Sequence, residues 1–247
     1  MNYSVTIGSE ILPVIVRKRR GARRFTIRYQ PLAHAVSLTL PPTASLRQGL
    51  RFAQERCEWI ERQIAKKPKH VPFSDGQIIP VLGKKYIIRH VGGRGVVKID
   101  VSDQSAKDSE NNLHSDICSL PSILVSGDAE FMARRVREWL KAQAGEEITK
   151  LAHDKAHQIG KRVKKISLRD NSSCWGSCSH SGNLSFSWRL ILAPHEVLEY
   201  LVSHEAAHLK EHNHGPAFWA VVAQLFPPYK QAQHWLKRHG QGLYSYG

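Results

Sequence analysis

The sequence predicts an α+β fold in which a small sheet-plus-helix region over 1–125 precedes a domain over 126–247. The second domain is built from a long backing helix, a small sheet and a helix that carries two histidines. Three observations lead there. Apolar and polar residues alternate over short runs in the first half, as in half-buried strands. Apolar residues recur every three or four positions over 44–67, 129–159 and 194–212, as on one face of a helix. Between the two patterns, Ser102 to Asp116 is almost entirely polar or charged.

Basic residues crowd Arg17-Lys-Arg-Arg20 and Arg23-Arg24. Phe25, Ile27 and Tyr29 then alternate with polar neighbours, as do Val36, Leu38 and Leu40 beyond a turn at Pro31 to His34, which predicts a β-hairpin. Pro41-Pro42-Thr43 ends the strand. Leu46, Leu50, Ala53, Cys57, Ile60 and Ile64 follow at helical spacing, so one helix is expected over 44–67 with Thr43 as its N-cap. Short strands are expected at Ile78 to Leu82, Tyr86 to Arg89 and Val96 to Val101. A short apolar run from Ile117 to Val125 leads to the domain boundary before Gly127-Asp128. Phe131, Val136, Trp139, Leu140, Ile148 and Leu151 predict a long helix from Ala129 to about Ile159, with Gly145 as its weak point. Strand-like pieces at Val163 to Leu168 and Leu184 to Trp188 come next. Pro194 opens the second helix, expected to run through about His212.

The chain has 247 residues and is 41% hydrophobic, enough to bury a real core. The formal net charge of +15 favours polyanions, acidic surfaces or anionic lipid as partners and says nothing about fold. Cys57, Cys118, Cys174 and Cys178 are too few and too scattered for a disulfide framework, which fits a reducing compartment. The N-terminal segment lacks the basic start and apolar core of a signal peptide, and no run approaches 18 apolar residues. A cytoplasmic protein with no membrane partner is the expectation.

The segment His204-Glu-Ala-Ala-His208 carries the chemistry. On a helix, positions i and i+4 share a face, so His204 and His208 can offer ring nitrogens to one ion, while Glu205 is offset toward a water held there. With 14 histidines and 13 glutamates in the chain, such a spacing arises by chance roughly 0.04 times. Catalytic zinc takes three protein ligands and keeps a fourth position open. His214 is the candidate for the third, if Asn213 takes the left-handed conformation and turns the chain back, with the Glu211 carboxylate or a more distant group as competitor. His212 is expected on the face of His208 but a turn beyond it, and Cys174 with Cys178 is expected to pack rather than to ligate. The step from His208 to His214 matches the metzincin pattern. That class needs a glycine where this chain has Glu211 and a methionine turn downstream, whereas the methionines are Met1 and Met132, so it is excluded.

Trp175-Gly-Ser-Cys178-Ser, Gly182-Asn-Leu-Ser-Phe-Ser-Trp188-Arg-Leu190, Ala193-Pro194, His204-Glu-Ala-Ala-His208, Asn213-His214 and Phe218-Trp219 together resemble the YgjP-like family of metal-dependent hydrolases, related to the SprT-type zinc metalloproteases. The resemblance is strongest from about Arg162 to Trp219 and extends to the basic hairpin, the Pro-Pro junction and Trp59-Ile60. It implies a zincin-like catalytic domain with His204, His208 and His214 as Zn2+ ligands and Glu205 as general base, acting on a peptide or protein substrate. One departure is Cys174, where the family usually has an arginine.

The expected chemistry is hydrolysis by a zinc-activated water, with Glu205 taking its proton and His212, Tyr200 or Arg189 as donors to the oxyanion. The segment from Gly182 to Ser187 is expected to offer a strand edge to an extended substrate. The alternative is a nucleic-acid-associated protein, either a DNA-recruited SprT-like protease or a DNA or RNA binder with structural zinc. It is suggested by the net charge and by Arg17 to Arg20, Lys66-Lys67 and Lys161-Arg-Val-Lys-Lys165.

Overall fold

The computed structural model describes residues 3–8, 10–30, 33–65, 69–100, 120–170 and 174–247. The chain divides into two compact units, Met1–Lys69 and His70–Gly247. Cys118, Lys66-Lys67, the polar stretch from Ser102 to Asp116 and part of the Pro31 to His34 turn lie outside the described residues.

In the first unit, β1 (Tyr3–Ile7), β2 (Glu10–Lys18), β3 (Thr26–Gln30) and β4 (Ala35–Leu40) form a sheet of order β1-β2-β4-β3, parallel only between β2 and β4. The expected hairpin is β3 with β4, registered Ile27 to Leu38 and Tyr29 to Val36. The alternation of β1 and β2 puts Val5, Ile7, Leu12 and Val14 on the same buried face as Val36, Leu38 and Leu40. The single helix expected over 44–67 is two, α1 (Leu46–Gln54) and α2 (Cys57–Ala65). The break lets the Gln54 amide and the Cys57 thiol both donate to the Thr6 carbonyl of β1. Ser45, not Thr43, is the N-cap: its hydroxyl accepts from the Gln48 N–H at 3.2 Å, and the Gln48 side chain accepts from the Ser45 N–H at 2.9 Å.

The second unit holds two sheets and four helices among the described residues. Strands β5 (Ile78–Val81), β6 (Lys84–His90), β7 (Lys98–Asp100) and β8 (Ser122–Val125) form a sheet of order β5-β6-β8-β7. Its buried face, with Ile79, Val81, Ile88, Ile123 and Val125, joins the core of the histidine-bearing part, and the Leu82 N–H donates to the Ile191 carbonyl. The chain therefore divides after Lys69 rather than after 125, because these strands bury their apolar face in the second unit.

Helix α3 (Met132–Gln158) is the expected long helix, and it runs unbroken through Gly145. Met132, Val136, Leu140, Ala144, Ile148 and Ala152 form its buried i+4 ridge. Strands β9 (Lys165–Arg169), β10 (Gly176–Cys178) and β11 (Asn183–Ser187) form a sheet of order β10-β11-β9, with β11 parallel to β9 and antiparallel to β10. A 3-10 turn over Trp188–Leu192 leads into α4 (His195–Ala207), followed by α5 (Pro216–Leu225) and α6 (Tyr229–His239). No helix is long and apolar enough to cross a membrane, among the described residues.

The C-terminal residues are tied to this core by Arg189, whose guanidinium is buried. Its Nε donates to Asp170 Oδ1 at 2.7 Å, and its Nη1 donates to the carbonyls of Leu243 at 3.3 Å and Tyr246 at 2.6 Å. Burial alone would raise the Asp170 carboxyl, but the Arg189 guanidinium outweighs it and holds it below its ordinary value. Substituting Arg189→Met strands these acceptors and is expected to cost about 3 kcal/mol, read as a lowered urea midpoint.

Candidate metal centre

Helix α4 carries the site. Val197, Leu198, Leu201 and Val202 bury its apolar face, and the rings of His204 and His208 lie against Phe218. The helix ends sooner than its periodicity predicts: Ala207 is its last residue, His208 is the C-cap, and a turn runs through Lys210, with the Glu211 N–H donating to the Ala207 carbonyl at 2.9 Å. His212 is therefore not on the helix. Its ring packs against His180, centroids 4.4 Å apart. Nor does Asn213 adopt a left-handed conformation, since His34 and Leu82 are the non-glycine residues that do so among those described. The return is made by a tight turn in which the Gly215 N–H donates to the Asn213 carbonyl at 2.7 Å, after which Pro216 opens α5 at its first position.

That turn brings His214 back. One ring nitrogen from each of His204, His208 and His214 lies within 4.8 Å of the others, and no other trio of histidine, cysteine or acidic side chains is so placed among the described residues. The Glu211 carboxylate and the Cys174 and Cys178 thiols do not join it. Phe218, fully buried on α5, forms the floor, its ring 4.9, 4.4 and 4.7 Å from those of His204, His208 and His214.

The electrostatics suit a cation. Burial, then the neighbouring imidazoles His208 and His214, pushes His204 down to about 4. Burial likewise lowers His208, reinforced by His214 and His212 and opposed by the Glu211 carbonyl. Both rings are thus neutral at pH 7 and present lone pairs. His208 Nδ1 lies 3.0 Å from the Glu211 carbonyl, which can only accept, so the proton sits on Nδ1 and the Nε2 lone pair is free. His204 Nε2 and His214 Nε2 face each other at 3.1 Å, where two lone pairs repel unless a proton or a shared cation lies between them. His204 Nδ1, by contrast, is buried with no protein partner holding its tautomer. Neutral His204 and His208, with the His214 ring nitrogen within 4.8 Å of theirs, make a donor set that fits Zn2+.

Glu205 is 4% exposed, and burial pushes its carboxyl up to about 8. Strand β10 lies directly against it. A Cβ built on Gly176 would fall 2.6 Å from Glu205 Oε1 and 2.7 Å from its Cγ, so only glycine fits there. Sequence reasoning passed over Gly176, although its place in the Trp175-Gly-Ser-Cys178 element was the available signal. Cys178 is half-buried nearby, and burial with the Glu205 charge pushes its thiol up to about 11, so it is neutral.

Two expectations are corrected. The stretch from Gly182 to Ser187 contains β11, the central strand, whose backbone is paired on both sides; among the described residues the edge strand beside Glu205 is β10. Arg189 is committed to Asp170 and the C-terminal carbonyls and is no oxyanion donor. Tyr200 is buried with its ring 6.0 Å from that of His204, and Gln233 hydrogen-bonds its hydroxyl, which burial raises above its ordinary value.

An α+β fold that gathers three imidazoles beside a buried carboxyl has the make-up of a metal-dependent hydrolase. The family model described as YgjP-like, metallopeptidase domain, matches residues 23–239, and the chain belongs to that family. No curated protein is detectably similar to it in sequence. Among solved structures, the crystal structure of the metallopeptidase zymogen of Pyrococcus abyssi abylysin is similar at 20% identity and a TM-score of 0.34, over 37% of this chain and 93% of that one. A likeness that loose carries nothing further.

Proposed function

We propose that the chain is a Zn2+-dependent peptidase of zincin-like layout, with α3 as the backing helix, β9 to β11 as the small sheet and α4 as the active-site helix. The convergence of His204, His208 and His214 within 4.8 Å beside buried Glu205 supports this reading most. These three residues would hold the ion, which when bound supplies Lewis acidity toward a water and the scissile carbonyl. Glu205 takes the proton of the attacking water and passes it to the leaving amine. Gly176 keeps β10 close enough to hold the Glu205 carboxyl in place, and β10, as an edge strand, can pair with an extended substrate backbone. Tyr200 and His212 are the donors left for the tetrahedral oxyanion.

The test is metal analysis of the purified protein beside cleavage of an unfolded protein substrate. One zinc per chain is expected, with cleavage lost on chelation and restored by Zn2+; cleavage indifferent to chelation would overturn the reading. Gly176→Ala is expected to displace Glu205 and to lower kcat on the order of 100-fold with zinc retained, measured by steady-state kinetics and metal content.

A second reading rests on the first unit, where Arg17, Lys18, Arg19, Arg20, Arg23, Arg24 and Arg28 are all exposed. If they recruit the enzyme to nucleic acid, binding to duplex DNA will weaken steeply with salt and survive chelation.

A further inference from the structure

Outside the histidine cluster, α6 presents one feature that the hydrolytic machinery does not use. Lys230, Gln233, His234 and Lys237 recur at i, i+3, i+4 and i+7, so they form one exposed stripe along the helix. With Trp219 and Tyr229 they line an open cavity of about 620 Å3.

The cavity adjoins the candidate metal centre. Trp219 is its inner wall, and the Trp219 ring lies 5.9 Å from that of His204 and 6.1 Å from that of His214. Tyr229 stacks on Trp219 with ring centroids 5.5 Å apart and planes 20° from parallel. Gln233 reaches from the stripe to the Tyr200 hydroxyl on α4, so α6 is tied to the helix that carries His204 and Glu205. No carboxylate lines the cavity, and neither Lys230 nor Lys237 has an ion-pair partner among the described residues. Two unneutralised ammonium groups beside a flat aromatic shelf form a receptor for a carboxylate on a short carbon stem: the stem lies on the rings and the anion meets the lysines.

We propose that this cavity receives the part of the substrate next to the scissile bond and selects a carboxylate there, with Lys230 and Lys237 as its specificity-determining residues. The inference rests on the peptidase reading for its location, because the Trp219 wall of the cavity lies 5.9 and 6.1 Å from the rings of His204 and His214, where that reading puts the scissile bond. The carboxylate is either an acidic side chain or the C-terminus of the substrate, and the chemistry of recognition is the same.

The experiment measures binding apart from cleavage. Fluorescein-labelled peptides that differ only by Glu or Gln at one position, each with a free or an amidated C-terminus, are titrated against the Glu205→Gln protein by anisotropy. A peptide bearing the carboxylate is expected to bind about tenfold tighter than its neutral counterpart at low salt, and the advantage is expected to shrink as salt rises. Adding Lys230→Gln and Lys237→Gln, both at exposed helix positions, brings the two to equal affinity. A preference for Glu over Gln identifies a side chain, and a preference for the free over the amidated peptide identifies the terminus. Equal affinities at the outset, or a preference that survives the double lysine variant, overturns the proposal. If wild-type protein cleaves no peptide while charge-selective binding holds, the peptidase reading fails and the carboxylate site stands.

Discussion

Replacing Glu205 by Gln will lower kcat by a factor on the order of 100 to 10,000 while the protein still folds and still takes up one metal ion. The amide keeps the size of the carboxyl and its place beneath β10, where Gly176 leaves no slack, but it cannot accept a proton. The same variant has a second signature, visible without any substrate. In the metal-free chain burial holds the Glu205 carboxyl at about 8, above its ordinary 4.5, so the folded state prefers it protonated. A raised carboxyl gives stability that is whole below 4.5 and is lost as pH rises through 8. The contribution of Glu205 to metal-free stability therefore falls over that window by up to several kcal/mol, at about 1.4 kcal/mol per pKa unit. Glu205→Gln removes the decline. Urea unfolding of both chelated proteins at pH 5 and pH 9 checks it, and parallel pH profiles would refute the buried ionisable carboxyl. Bound Zn2+ should flatten the wild-type profile too, because a nearby cation favours the carboxylate.

Removing a ring from the trio is the second large effect. His204→Ala or His214→Ala will lose zinc on desalting, and with it all hydrolysis, since two imidazoles cannot hold a catalytic ion against dilution. Glu211→Gln, at the rejected competitor for third ligand, will keep the metal, because His208 uses the Glu211 backbone carbonyl and not its side chain. Metal content by mass spectrometry separates the two cases. Acid should act on the metal-free site through His204. Its folded value of about 4 lies below the ordinary 6.5, so the stability that it contributes is whole above 6.5 and lost as pH falls through 4. Between about 4.5 and 6.5 this gain with pH offsets the Glu205 loss, and the chelated protein should show a plateau there.

The signals that proved readable in the sequence were local ones. The i and i+4 spacing of His204 and His208 needs only the helical repeat, and α4 supplies it. The β3–β4 hairpin and α3 announce themselves by alternation and by a four-residue ridge, patterns confined to the residues that form them. The family resemblance was legible for a similar reason, because its elements are short contiguous strings matched within residues 23–239.

Where periodicity was trusted beyond its range, tertiary contacts decided otherwise. The apolar spacing across Gln54 to Cys57 continues through a break that exists because two side chains reach back to Thr6, some fifty positions earlier in sequence. Strand β11 reads from sequence and three-residue β10 does not, and that β11 is the central strand depends on β9 pairing with it in parallel from the far side.

The sequence by itself therefore determined the candidate metal-binding pair, its neighbouring glutamate, the helix that carries them and the membership of the family, because each is written in short-range spacing. Only the tertiary structure decided that His214 returns without a left-handed Asn213, that Phe218 floors the three rings, that Gly176 on an edge strand meets Glu205, and that the lysines of α6 face Trp219 beside them. Those arrangements are contacts between separate elements, and their geometry is set by how the core packs, which no local repeat encodes.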